Sequence, residues 1–192
     1  MSDLDEDGYS KLAQEIDVLY KEEKAILKRA IDSIFRKGMK EGHTLALSEC
    51  KNVSGKKILD IGCGAGHVST ALAKKGAFIV GIDSPRNTIR MTKLTVEKDG
   101  LQDKFMFIHD DFQKHLFSEK FHISLALGVF DFVKDAALYV EKMKSLTTEK
   151  CIMSFPSKSA FQVPLRMIWL RSRNVPVYFY TKNELKSLLS QH

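Results

Sequence analysis

Three glycines spaced two residues apart constrain this chain more than any other feature. Gly62, Gly64 and Gly66 follow the short apolar run Lys57-Ile58-Leu59-Asp60-Ile61 and precede a helix-like segment from His67 to Lys75 that stops at Gly76. Glycine enters the left-handed region without a Cβ penalty, so a strand can turn into a helix within a few residues and leave its backbone open to close approach. Phe78–Ile82 reads as a second buried strand, and Asp83 ends it about 20 residues after Gly62, where a carboxylate can accept both hydrogens of a ribose diol. A dinucleotide fingerprint of the form GxGxxG needs its third glycine at position 67. His67 stands there, so a nicotinamide or flavin site fits poorly.

The remaining pattern alternates in the same way. Residues 9–37 carry apolar positions at helical spacing, and Gly38 and Gly42 suggest a turn after them. Ser84-Pro85 supplies an N-cap and a proline at the first helical position of a helix running to about Lys98, which Asp99-Gly100 breaks. Further strands are expected over Phe105–His109, His122–Leu127 and Cys151–Phe155, with Asp135 capping a helix through Leu146. Thr181 and Glu184 form a capping box that opens a helix through Leu189. Strands alternating with helices predict an α/β fold: a mostly parallel sheet with helices on both faces, which binds ligands outside the carboxyl ends of its strands.

A chain of 192 residues with 44% hydrophobic and 28% charged residues suits one globular domain. The expected division is an N-terminal helical region over 1–50, a core over 51–155, a lid or insertion over 156–180 and a C-terminal helix over 181–192. Cys50, Cys63 and Cys151 are scattered, and they have neither a disulfide nor a metal-binding spacing. No metal site is expected. The acidic start has no apolar leader, and no apolar run approaches the ~20 residues of a membrane span, so a cytoplasmic location is expected. The net charge of +6 sits in one stretch: Lys150, Lys158, Arg166, Arg171, Arg173 and Lys182 occur there with no acidic residue between them. Such a stretch suits an anionic substrate, a nucleic acid, a membrane surface or plain solvent.

The run DIGCGAG followed by GID resembles motifs I and II of the class I, Rossmann-like S-adenosylmethionine-dependent methyltransferases, and the resemblance extends over about residues 50–155. It implies S-adenosylmethionine as cofactor. By the same resemblance Asp60 lies near the methionine amino group, and Gly62, Cys63, Gly64 and Gly66 line the methionine and ribose portion. Asp83 holds the ribose hydroxyls, with Ser84 beside the adenine. His109-Asp110-Asp111-Phe112 resembles the motif in which an acidic side chain meets the adenine amino group, Asp111 being the better match; either aspartate can also cap a turn. Phe112 offers its backbone or its ring. Leu127 and Gly128 present backbone to the methionine end. His122 departs from the family pattern, which often has an aspartate there.

The methyl of a sulfonium is already electrophilic, so a protein nucleophile is unnecessary and a base is needed only if the acceptor loses a proton. Strand 4 lacks the Pro-Pro-aromatic and Pro-Cys patterns of nucleic-acid base methyltransferases. Its Gly128–Val133 run, together with SFPS and VYFYT, resembles the magnesium-protoporphyrin O-methyltransferase-like, small-molecule branch. The implied reaction is methyl transfer to an oxygen or nitrogen of a small molecule. An RNA methyltransferase and an inactive cofactor-binding partner subunit stay as alternatives. His43, Asp131 and Tyr180 are the candidate catalytic residues, with Lys158, Arg171 and Tyr178 near the acceptor, and each has a structural reading beside the functional one. The family's sheet normally ends in two further strands after the helix that begins at Thr181. Their apparent absence predicts either a truncated sequence or an open edge covered by a second copy or a partner chain.

Overall fold

In a computed structural model of the chain, residues 39–157 and 177–190 are described. The expected helix over 9–37 and most of the basic, apolar stretch, including Lys158, Trp169 and Arg171, lie outside the described residues. Residues 39–49 form helix α1. Then follow β1 (Lys57–Ile61), α2 (His67–Lys74), β2 (Phe78–Asp83), α3 (Arg86–Lys98), a 3-10 turn at Gln102–Lys104, β3 (Phe105–His109), β4 (Phe121–Ala126), α4 (Ala136–Leu146), β5 (Thr147–Met153) and α5 (Lys182–Ser190). The five strands form one sheet in the order β3-β2-β1-β4-β5, with every pairing parallel. This is the Rossmann-like α/β arrangement. Its order reverses between β1 and β4, which opens a crevice at the carboxyl ends of those strands.

Alternation along each strand divides the core between the two faces. Leu59, Ile61, Val80 and Ile82 pack with Ala136, Val140 and Met143 of α4 and with Phe121 and Phe130. Ile58, Ile79, Ile123 and Leu125 pack with Val68, Leu72 and Ala73 of α2 and with Cys50 and Val53. Strands buried on both sides read as continuous apolar runs, which is why KILDI and FIVGID are so rich in branched residues. The two-residue period also decides where Asp60 and Gly81 go: both share the α2 face with Ile58 and Ile79.

Four sequence expectations are corrected. Gly42 lies inside α1, since a single glycine costs a helix only about 1 kcal/mol and the flanking residues carry it. Ser84 does not cap α3. Pro85 occupies the cap position with extended ψ, and the Ser84 hydroxyl instead points to the Asp110 carbonyl at 3.5 Å. β4 spans Phe121–Ala126, one residue earlier than expected. β5 begins at Thr147, with no loop after α4, because Thr147 is both the helix C-cap and the first strand residue. The other boundaries among the described residues agree to within one residue at either end. Asp135 accepts from Leu138 N at 3.3 Å, and Thr181 Oγ1 accepts from Glu184 N at 3.2 Å while the Glu184 carboxylate accepts from Thr181 N. No helix among the described residues is long and apolar enough to cross a membrane.

The division of the core gives a stability prediction. Leu72 is wholly buried between α2 and the sheet, so Leu72→Ala should cost about 2–5 kcal/mol in denaturant unfolding. Leu138 on α4 is 54% exposed, and Leu138→Ala should stay within about 0.5 kcal/mol. Equal losses for the two variants would contradict the assignment of faces.

Candidate functional site

All the residues of the glycine motif gather at the carboxyl edge of β1, β2 and β4. Gly62, Gly64 and Gly66 have φ of 65°, 54° and 75°, so the turn occupies the left-handed region at all three. Their surroundings differ. A Cβ on Gly62 would lie 2.6 Å from Val129 Cγ2, and one on Gly66 would lie 2.6 Å from Thr92 Cγ2. On Gly64 a Cβ would meet only the Gly62 carbonyl at 3.9 Å, and on Gly128, with φ of 73°, it would meet nothing within 4 Å. Gly62 and Gly66 therefore serve packing, whereas Gly64 and Gly128 border open space.

The peptide of Gly64 is gripped from both sides. Its N–H donates to Asp83 Oδ2 at 3.2 Å, and its carbonyl accepts from the Thr92 hydroxyl of α3. Asp83 Oδ1 accepts from Ser84 N at 2.9 Å. The end of β2 and the middle of α3 thus hold the turn that leaves β1. Cys63 turns inward: its thiol lies against Gly81, 3.3 Å from where a Cβ would stand there, and burial pushes its pKa well above the ordinary value. Cys63 thus contributes its backbone to the turn, with the side chain in the packing beneath it.

Two carboxyls lie beneath this turn, Asp60 buried and Asp83 half-buried. Asp60 is 6% exposed and accepts a hydrogen bond from Ser69 of α2. Burial pushes its pKa up to about 7; the Ser69 hydroxyl opposes the rise and the charge of Asp83 adds to it. Asp83 is pushed up to about 6, again by burial first, with the amides of Gly64 and Ser84 and the nearby His109 pulling it back. Both groups bind protons more tightly folded than unfolded. Their contribution to stability is therefore fullest below about pH 4 and is lost as pH rises through 6 to 7. Two carboxyls with raised pKa values, side by side at the carboxyl edge of the sheet, make this the candidate site.

The loop after β3 supplies the next wall. Asp110 Oδ1 accepts from Asp111 N at 2.8 Å and its Oδ2 pairs with His115 Nδ1 at 2.9 Å, which holds its pKa below the usual value. Asp111 is buried, and its Oδ1 accepts from Gln113 N at 2.8 Å. The Phe112 ring is in the core, 5.0 Å from the Tyr139 ring, so only its backbone is available at the crevice. After β4, the Gly128 N–H donates to Ser154 Oγ at 2.7 Å. Leu127 and Gly128 therefore offer carbonyls rather than amides.

The candidate catalytic residues separate. His43 of α1 is half-buried, and burial, followed by the nearby His67, lowers its pKa below 6.5. The Tyr180 hydroxyl faces the carbonyls of Phe130 and Val133, each at 3.3 Å, and burial pushes its pKa up to about 12. Its ring meets that of Phe155 at 5.2 Å, which makes it a packing residue. Asp131 is buried, and its carbonyl accepts from Tyr178 N at 2.8 Å. His122 is at the opposite end of the sheet, where Nδ1 accepts from Lys57 N at 3.0 Å, so its departure from the family pattern does not touch the site. Ser69, Thr92, Val129 and Ser154 were not anticipated from sequence. Each is a small residue on a helix or loop whose role depends on the fold bringing it to a glycine or a carboxylate. Among the described residues no group of three or more His, Cys, Asp or Glu could hold a metal ion.

Comparison with known proteins agrees with this geometry. Residues 52–188 match the family model described as "Methyltransferase domain", and the chain belongs to that family. It is 27% identical over 111 residues to the ubiquinone biosynthesis O-methyltransferase of Histophilus somni, covering 56% of this chain and 47% of that enzyme. With the enzyme of the same name from Actinobacillus pleuropneumoniae it shares 30% identity over 105 residues, covering 53% and 45%. The chain thus spans about half the length of these curated relatives. In structure it resembles magnesium protoporphyrin IX methyltransferase from Synechocystis with bound SAH. The TM-score is 0.76 at 16% identity, over 97% of this chain and 86% of that one, a likeness of fold.

The two kinds of glycine predict different outcomes. Gly66→Ala should lose about 1–3 kcal/mol of stability, because its methyl collides with Thr92 Cγ2 in a strained φ. Adding Thr92→Ser removes that methyl and keeps the hydroxyl, so the double variant should recover part of the loss in thermal unfolding. No recovery would mean that the collision is not the cause.

Proposed function

We propose that this chain is an S-adenosylmethionine-dependent methyltransferase acting on an oxygen or nitrogen atom of a small molecule. The observation that carries this reading is the Asp83 carboxylate facing the amide of Gly64, beside open space at Gly64 and Gly128. The O-methyltransferase names of the curated relatives favour oxygen. When bound, S-adenosylmethionine supplies an activated methyl group, and the protein's work is orientation, worth up to ~7–11 kcal/mol of barrier.

The residues present fit this cofactor. Asp83, with one amide on each oxygen, keeps lone pairs for both ribose hydroxyls. Asp111 uses Oδ1 on Gln113 N, which fixes its plane and leaves Oδ2 to accept from the adenine amino group. Ser84 and the Phe112 backbone would flank the ring. Asp60, ionised, would balance the methionine ammonium, and the carbonyls of Leu127 and Gly128 would accept its hydrogens. His43 is the proposed proton acceptor: its lowered pKa keeps it neutral at pH 7, and it is near His67 at the start of α2. Asp131, which is buried, and Tyr180, which is half-buried with its hydroxyl on two backbone carbonyls, are less suited.

The reading is tested by calorimetry with S-adenosylhomocysteine beside label transfer from methyl-labelled S-adenosylmethionine into a metabolite extract. An ionised carboxylate is the stronger partner, so affinity should fall as pH drops through about 7, the value for Asp60 beneath the methionine ammonium, and again through about 6, the value for Asp83 at the ribose hydroxyls. Asp83→Asn should weaken binding roughly 10–100-fold, the factor that 1.5–3 kcal/mol carries, and flatten that part of the profile. Unchanged affinity in Asp83→Asn, or label entering RNA in place of small molecules, would overturn the reading.

A further inference from the structure

We propose that Lys142 of α4 is a positioning residue that sets the Asp110–His115 turn in the conformation that reads the adenine ring. The inference rests on the cofactor reading above and goes beyond it, since Lys142 belongs to no part of the glycine motif. The Lys142 ammonium donates to two carbonyls of that turn, Gln113 O at 2.9 Å and His115 O at 2.7 Å. It also stands over the rings of Phe112 and Phe117, 5.1 Å and 5.8 Å from their centroids. One cation thereby fixes two peptides and two side chains of a single short loop.

These contacts come from an element about 30 residues away in sequence, so they join the loop to the sheet's α4 face. Without them the two half-buried carbonyls would lose a charged donor that holds them in one place, and bonds from a charged donor contribute more than neutral ones. The loop's internal bonds are all local: Asp111 Oδ1 from Gln113 N, and the Asp111 carbonyl from Lys114 N and His115 N. They shape the turn, and its first residue is tied to the end of β2, where Asp110 N donates to the Asp83 carbonyl at 3.2 Å and the Asp110 carbonyl accepts from Ser84 Oγ at 3.5 Å; Lys142 fixes the far end of the turn. Asp111 and Asp110 are also near enough to Lys142 for their charges to stabilise its protonated form, which opposes the effect of burial. The chain of cause runs from Lys142 to the two carbonyls, then to the plane of the Asp111 carboxylate, then to the base.

A residue with this role controls which base is accepted as well as how tightly. The probe is a pair of ligands, S-adenosylhomocysteine and S-inosylhomocysteine, the second having a carbonyl in place of the adenine amino group. Calorimetry should show the full chain preferring the adenine ligand. In Lys142→Met that preference, the ratio of the two dissociation constants, should shrink by about tenfold, the factor equivalent to 1.4 kcal/mol. Lys142→Arg, which keeps the charge and can bridge both carbonyls, should retain most of it. If Lys142→Met does not fold, Lys142→Gln, which keeps one donor and the polar stem, is measured instead with the same expectation. A lowered melting temperature with an unchanged ratio would overturn the proposal and leave Lys142 as a structural strut. A wild-type protein that binds the adenine ligand but does not discriminate would also overturn it. A wild-type protein that binds neither ligand would overturn the cofactor reading itself.

Discussion

The Gly64 peptide is the point on which the rest of the site depends. Its N–H is bound by Asp83 at the end of β2, and its carbonyl by Thr92 in the middle of α3. These two bonds fasten the turn after β1 to the neighbouring strand and helix, so the turn's left-handed conformation is held by tertiary structure as well as by glycine. The same arrangement forces the identity of its neighbours. Gly62 and Gly66 must lack a Cβ because Val129 and Thr92 pack against them, and Gly64 takes a left-handed φ of 54° beside open space.

Holding a buried and a half-buried carboxyl under one turn is costly, and the sheet offsets that cost only in part. Ser69 supplies one donor to Asp60, and two backbone amides serve Asp83. Both groups still titrate well above their ordinary range. An apolar pair would make a more stable fold at neutral pH, so the retention of two acids is best understood as serving binding. A cationic ammonium near Asp60 and a diol near Asp83 would each favour the ionised form, and binding would then draw on the unfavourable electrostatics of the free protein.

Much of this was legible in the sequence because the strands are short, apolar and closed by glycine or aspartate. Periodicity and turn residues locate β1, β2, β3 and the capped helices, and the spacing from Gly62 to Asp83 identifies the crevice. What the sequence concealed has physical reasons. Gly42 suggested a turn, but one glycine does not break a helix whose other residues favour it. Thr147 gave no sign that α4 passes directly into β5, because a threonine suits both a cap and a strand. Thr92 and Lys142 occupy helix positions with no pattern to mark them; only the folded sheet brings one to Gly64 and the other to the β3–β4 loop. Phe112 offered either its backbone or its ring, and the fold decides between them because the apolar face of α4 takes the ring.

Selective labelling of glycine nitrogen tests the central claim most directly. Gly55 and Gly100 share positive φ and open surroundings with Gly64 and Gly128, but they precede β1 and β3 respectively, away from the carboxyl edge. Titration with S-adenosylhomocysteine, followed by amide chemical shifts, should move Gly62, Gly64, Gly66 and Gly128 while leaving Gly55 and Gly100 where they are. Shifts confined to Gly55 and Gly100, or none at any glycine at saturating ligand, would contradict the account.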